Sequence, residues 1–226
     1  MKLVVISAGV SDPSSTGMLA GRLAQSVATQ ARAHGGEATI ETIELRALAN
    51  EIATGLVSGL QGPGLAAAVA ALRDADGVIA ATPVYKAGIS GLFKSFADLL
   101  DNDLLVAKPV LLAATAGTAR HALVVDEALR SLFTYLRAMT VPTAVFASSE
   151  DWGDPALGGR IERAAQELLA LIERDVQGAV RGASWNRYSH ELGSNGGAEL
   201  DIDLDTDLMR LATGGATAPR PAEPPA

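Results

Sequence analysis

The strongest constraint on this chain is an alternation of two kinds of segment. Short apolar runs, Lys2–Ala8 (KLVVISA), Gly77–Thr82 (GVIAAT) and Pro109–Thr115 (PVLLAAT), are separated by longer stretches of helical period. The runs are continuously apolar, so each reads as a strand buried on both faces. Between Thr16 and His34, Met18, Leu19, Leu23, Val27 and Ala31 fall at spacings of one, three or four, and Gly35-Gly36 supplies a stop. Ala38–Leu45 alternates and predicts a second strand. Leu48–Leu60 is partly helical but broken by Gly55 and Gly59, and Pro63 opens a helix to about Arg73. Further on, the pattern predicts a helix over Ser90–Leu100, one long helix over Arg120–Met139, a fifth strand over Val141–Ser148 and a helix over Pro155–Gln177. Five strand–helix units predict an α/β domain over residues 1–178, a doubly wound five-stranded parallel sheet with helices on both faces. Such sheets bind ligands beyond the C-terminal ends of their strands, which singles out the loops after the first, third and fourth strands.

Composition excludes several classes of chemistry. The 226 residues contain no cysteine, so there is no disulfide framework, cysteine zinc site, iron–sulfur cluster or thiol nucleophile. The three histidines, His34, His121 and His190, lack any metal-binding spacing, and no metal is expected. A net charge of −8 without a Lys/Arg cluster argues against nucleic acid and anionic membranes as partners. No apolar run reaches the roughly 18 residues of a membrane helix, and the short run ending at Ser7 is no signal sequence, so a cytoplasmic protein is expected. Past Gln177 the composition changes. Residues 179–212 read as a C-terminal extension, with Trp185, Tyr188 and the acid–apolar alternation Glu199–Asp207. Asp201, Asp203 and Asp205 have the spacing of a calcium loop, but Thr206 and Ala212 replace its glycine and glutamate. Residues 213–226, rich in Pro, Gly and Ala, are expected to be disordered.

The three loops carry the chemistry. The first, Ser11-Asp12-Pro13-Ser14-Ser15-Thr16, puts hydroxyls at a helix N-terminus, where N–H groups and the helix dipole suit one phosphate. Neither G-x-G-x-x-G after the first strand nor a P-loop is present, which disfavours a Rossmann dehydrogenase and a P-loop NTPase. The second loop, Thr82 to Gly91, offers backbone groups of Val84–Ala87 and the ring of Tyr85 to a planar heterocycle. In the third, Gly117 permits close backbone approach, Thr118 can cap the following helix, and His121 falls in its first turn.

Together these loops resemble a known family. Ala81–Leu100 (ATPVYKAGISGLFKSFADLL) is similar to the "P-x-Y, small, Ser-Gly, hydrophobic-Lys-x-x-x-D" signature of NAD(P)H-dependent FMN reductases. Ser11–Thr16 resembles that family's phosphate loop, and Thr115, Gly117 and His121 its T-x-G-x-x-x-H loop. The similarity covers residues 2–178 and is greatest toward reductases serving alkanesulfonate or luciferase-like monooxygenases. It implies a flavodoxin-like fold and hydride transfer from NADPH or NADH to FMN, with no catalytic side chain because the chemistry belongs to the flavin. By the same resemblance, Ser11, Ser14, Ser15 and Thr16 hold the FMN phosphate; Pro83, Val84, Tyr85, Lys86 and Ala87 flank the ribityl chain and ring; and Thr115, Ala116, Gly117, Thr118 and His121 border the other edge. Arg120 is a candidate for the donor's 2′-phosphate. The implied partners are a flavin-dependent monooxygenase and further copies of the chain, in a homodimer or homotetramer built on Phe93/Phe96/Leu100 and Leu129/Leu132/Phe133/Leu136, with Lys94 and Asp98 structural. Several sulfonate-system relatives carry an aromatic insertion where this chain reads Val125-Asp126-Glu127. Two other readings share these residues: a quinone or azo reductase with tightly held FMN, and a flavodoxin-type electron carrier.

Overall fold

Alternate side chains of the central strands feed two separate cores, and this organises the molecule. The structure is a computed structural model that describes residues 1–183. Strands β1 (Lys2–Ser7), β2 (Thr39–Glu44), β3 (Gly77–Tyr85) and β5 (Pro109–Thr115) run parallel. Leu3, Val5, Ile79, Ala81, Leu111 and Ala113 pack against α1 (Ser15–Ala33) and α6 (Pro155–Glu173). Val4, Ile6, Val78, Ala80, Val110 and Leu112 face the other way. There they meet α2 (Ala49–Ser58), α3 (Pro63–Asp74), α4 (Gly91–Ala97) and α5 (Arg130–Tyr135). Burial on both faces is what the continuous apolar runs demand.

The strand order is β2-β1-β3-β5, with the fifth position shared by β6 (Met139–Thr140) and β7 (Val145–Ala147), both parallel to β5. This is the flavodoxin-like order, and its direction reverses at β1/β3. The fold class therefore agrees with expectation, while two details of the sheet differ. The fifth strand is interrupted at Pro142, which has no N–H to give a ladder. Side chains satisfy the gap: Arg130 donates to the carbonyls of Val141 (3.0 Å) and Pro142 (3.2 Å), and Glu167 accepts from the N–H and hydroxyl of Thr143 (2.7 Å each). The third strand is longer than Gly77–Thr82. It continues through Pro83, which pairs with Thr115 beyond the last β1 partner, and returns through an antiparallel β4 (Gly88–Ile89). Loop two is thus a β-hairpin.

The helix expected over Arg120–Met139 is also corrected. It is divided into a 3₁₀ turn (Ala119–His121), a π turn (Val125–Leu129) and the short α5. The faces expected to form a subunit interface lie inside the molecule: Phe93, Phe96, Leu100, Leu129, Phe133 and Leu136 are buried in one core and Leu132 is half-buried against it, with Phe93 and Phe133 at 6.2 Å between ring centroids. Lys94 and Asp98 form an exposed i,i+4 ion pair on α4.

At the opposite end of the sheet, buried Lys108 donates to the carbonyls of Leu72, Arg73 and Ala75 at the end of α3 (2.6–2.9 Å), and burial pushes its ammonium down to about 8. The helix expected to reach Gln177 ends at Glu173, and α7 (Val176–Ala183) follows after Asp175 with positive φ, crossing the boundary expected at residue 178. Trp185, Tyr188, the acidic alternation and the 213–226 segment lie outside the described residues. Among the described residues, no single helix is long and apolar enough to cross a membrane.

Candidate functional site

Loop one is built around the N-terminus of α1. Ser14 is the N-cap, its hydroxyl accepting from the Gly17 N–H (3.1 Å) and its carbonyl from Met18 (2.9 Å). The Ser15 and Thr16 amides precede the first intrahelical donors and have no partner within the helix. The close fold-over of the cap requires glycine at position 9, where a Cβ would overlap Ser14 Oγ. Beneath the first turn lies Ser7 Oγ, fully buried and without a hydrogen-bond partner among the described residues. Ser11 and Ser15 are exposed. The Thr16 hydroxyl is buried and meets that of Thr115 at 2.7 Å, so it pins loop one to the end of β5.

The hairpin is fixed at its base and strained at its tip. Thr82 Oγ1 accepts from the Ser90 N–H (3.0 Å) and donates to the Pro83 carbonyl (3.1 Å). At the tip, Lys86 (φ 51°) and Ala87 (φ 61°) both adopt the left-handed conformation that two-residue hairpins require and that favours Asn-Gly. Pro83 is buried, Val84 half-buried, and Tyr85, Lys86 and Ala87 exposed. The hairpin therefore presents Tyr85 and its turn backbone outward while anchoring itself through Thr82 and Pro83.

In loop three, Thr115 closes β5, and the Ala116 N–H donates to Ala147 at the end of β7 (3.1 Å). Gly117, Thr118 and Arg120 are exposed and His121 half-buried in the 3₁₀ turn. Thr118 makes no side-chain cap bond. All three predicted segments thus converge on the C-terminal edge of the parallel strands, around the β1/β3 reversal.

Two features of this edge were not found in the sequence. Arg46, in the turn after β2, reaches loop one: its guanidinium lies 3.4 Å from the Ser11 carbonyl, 3.6 Å from Asp12 and 4.0 Å from Glu44. The usable signal was strand order, since β2 pairs with β1 in a register that sets Glu44 beside Ser7. The second feature is the loop after β7. The Asp151 carboxylate accepts from the hydroxyl (2.6 Å) and N–H (2.7 Å) of buried Ser148 and from Arg160 of α6 (2.8 Å). Those hydrogen bonds, that of the Ser148 hydroxyl foremost, hold its carboxyl down at about 2. An open polar groove of about 870 Å³ lies elsewhere, lined by α1 and α6 residues between Arg22 and His34 and between Gly158 and Gln166, with none from the three loops. Among the described residues, no group of three or more carboxylates or histidines is arranged to hold a metal ion.

Comparison with known proteins gives the family. Residues 1–153 match the NADPH-dependent FMN reductase family. The chain is 36% identical over 179 residues to SfnF of Pseudomonas fluorescens, an NADH-dependent FMN reductase, a match covering 76% of this chain and 92% of that one. It is 45% identical over 106 residues to the NADH-dependent FMN reductase SfnE of Pseudomonas putida, covering 45% of this chain and 57% of that relative. An oxidoreductase structure from Corynebacterium diphtheriae superposes with a TM-score of 0.75 at 45% identity, covering 77% of this chain and 97% of the other. By sequence and by fold, then, the chain belongs to the NADPH-dependent FMN reductase family.

Proposed function

We propose that this protein is an NAD(P)H-dependent FMN reductase that delivers reduced flavin to a luciferase-like, two-component monooxygenase. The observation that carries this reading is the convergence of the three loops on one sheet edge, with loops one and three joined by the Thr16–Thr115 hydrogen bond. The residues present fit FMN: loop one offers the Ser15 and Thr16 amides, exposed hydroxyls and the orphaned Ser7 Oγ to a phosphate. When bound, FMN supplies the hydride acceptor; the protein supplies position and electrostatics.

In this reading, Ser11, Ser14 and Ser15 hold the phosphate, with Thr16 contributing its amide while its hydroxyl fixes the loop. Pro83–Ala87 form one wall of the ring site and Thr115–Thr118 with His121 the other. The backbone N–H groups of Lys86 and Thr118 are the donors that favour negative charge at the ring edge. Orienting the nicotinamide donor against that ring is the main catalytic task of the fold, and we assign Arg120, exposed beside loop three, to the donor's 2′-phosphate. Relatives 36% identical to this chain include both an NADH-dependent and an NADPH-dependent FMN reductase, so both donors belong in the assay. We read the protein as cytoplasmic and as a homodimer or homotetramer. The exposed side chains of Leu123 and Tyr135, 64% and 68% accessible, support self-association, which sedimentation velocity tests.

The test of function is NADH and NADPH oxidation by flavin-stripped protein as FMN is added. Turnover that saturates with free FMN, yielding flavin that separates from protein on gel filtration, is expected. Flavin retained through ping-pong turnover would indicate the quinone or azo reductase instead, and binding without oxidation an electron carrier.

A further inference from the structure

We infer that Arg46, supplied by the turn after β2, is the counter-cation of the flavin phosphate and exchanges its carboxylate partners for that phosphate on binding. The inference rests on the reading of loop one as the phosphate seat.

Loop one has hydroxyls and amides but no cation of its own, and it carries one negative charge, Asp12. A phosphate ester near neutral pH carries close to two. The helix dipole is worth only about half a charge at its N-terminus, too little to offset both. The buried, unpartnered Ser7 Oγ beneath the first turn is an independent sign that the seat is built for a ligand. Arg46 is the cation that touches this loop, through the Ser11 carbonyl at 3.4 Å and Asp12 at 3.6 Å.

The manner in which Arg46 is held supports exchange. Its three contacts span 3.4–4.0 Å, and both carboxylates, Asp12 (83% accessible) and Glu44 (43%), are open to solvent. Such pairs contribute little and are readily surrendered. Arg130 and Arg137, which serve structure, are bound far more closely, with Arg130 bridging Asp126, Thr140 and Val141 at 2.8–3.0 Å and Arg137 at 2.6 Å from Asp103. A planar guanidinium gains most where it can form two parallel hydrogen bonds to a phosphate, which its present partners do not provide. Asp12 then acts as a place-holder that keeps Arg46 at the loop before the phosphate arrives.

The experiment compares FMN and riboflavin, which differ only in the phosphate, by fluorescence-quenching titration of the full chain. Wild type, Arg46→Gln, Arg46→Lys and Asp12→Asn are measured at several salt concentrations. We expect Arg46→Gln to weaken FMN roughly tenfold or more and to leave riboflavin within about twofold. Arg46→Lys should fall between, and Asp12→Asn should bind FMN at least as tightly as wild type. The salt dependence of FMN binding should flatten in Arg46→Gln. An unchanged FMN-to-riboflavin ratio in Arg46→Gln, or equal loss of both ligands, overturns the inference. A wild type that binds the two flavins equally overturns the phosphate seat itself, which separates the two failures.

Discussion

The helix after β1 and the helix after β5 look alike in sequence and fold differently. In α1 the buried residues Thr16, Leu19, Ala20, Leu23, Ala24, Val27, Ala28 and Ala31 advance by three and one in turn, the i, i+3, i+4, i+7 pattern that keeps one stripe on a regular α-helix. After β5, Val125, Leu129 and Phe133 lie four apart, with Val124 and Leu136 buried on either side of them. On a regular helix of 3.6 residues per turn, each step of four overshoots by about 40°, which spreads these three side chains over about 80°. The wider π turn over Val125–Leu129 lessens the overshoot of its own step. The starts differ too: Ser14 caps α1, whereas Thr118 makes no cap bond, and the adjacent Val124-Val125 pair is β-branched and a weak helix former. Apolar spacing alone does not fix a helix, because its period and its cap decide whether the stripe stays continuous. Loop one is therefore followed by a capped, continuous helix, and loop three by a segmented one.

That contrast can be broken most forcefully at its tightest point. Gly9→Ala forces a methyl group into the Ser14 hydroxyl and to within 2.9 Å of its Cβ. We expect FMN affinity to fall more than about tenfold and stability by about 1–3 kcal/mol, read by flavin titration and chemical unfolding. Next comes the bond that joins the two regions. Thr16→Val and Thr115→Val should each cost about 1–3 kcal/mol by leaving a buried hydroxyl alone, while the double variant should cost less than their sum. Additive losses in urea unfolding would show that the two hydroxyls do not depend on one another.

A smaller pair of variants compares the two helix starts directly. Ser14→Ala should cost about 1 kcal/mol, and Thr118→Ala should stay within about 0.5 kcal/mol in the same unfolding assay. A further effect is electrostatic and belongs to the α1 side, since α6 packs beside α1. Asp151 has its carboxyl lowered from 3.8 to about 2 by Ser148 and Arg160. A depressed carboxyl stabilises the fold above its unfolded value and stops doing so as pH falls through its folded value. The stability gap between wild type and Asp151→Asn should therefore be full above pH about 4 and vanish toward pH 2, measured by unfolding across that range. A gap independent of pH would remove Asp151 as its source.

Much of this architecture was legible in the chain. Pro109–Thr115 is the strand its apolar run predicts, and α1 begins and ends within a residue of Thr16 and His34 because a cap opens it and Gly35, at φ 81°, follows its end. The three loops were also legible, as hydroxyls, glycines and a proline after strand ends. What local pattern could not show depends on neighbours. The apolar run predicts a strand ending at Thr82, yet Pro83 extends β3, since β1 has already ended beside it. Phe93 and Phe133 read as an outer face for a partner subunit, but they meet one another across the sheet's own covering layer. Arg46 stands 35 residues from Ser11 and becomes its neighbour only through strand order.

The most direct test of the account is an amide NMR titration of ¹⁵N-labelled protein with FMN. The account predicts the largest shifts at Gly9–Gly17, Val84–Ser90 and Thr115–His121, with Arg46 following and the groove between α1 and α6 unmoved. Shifts concentrated at Arg22–His34 and Gly158–Gln166, with loop one silent, would contradict it.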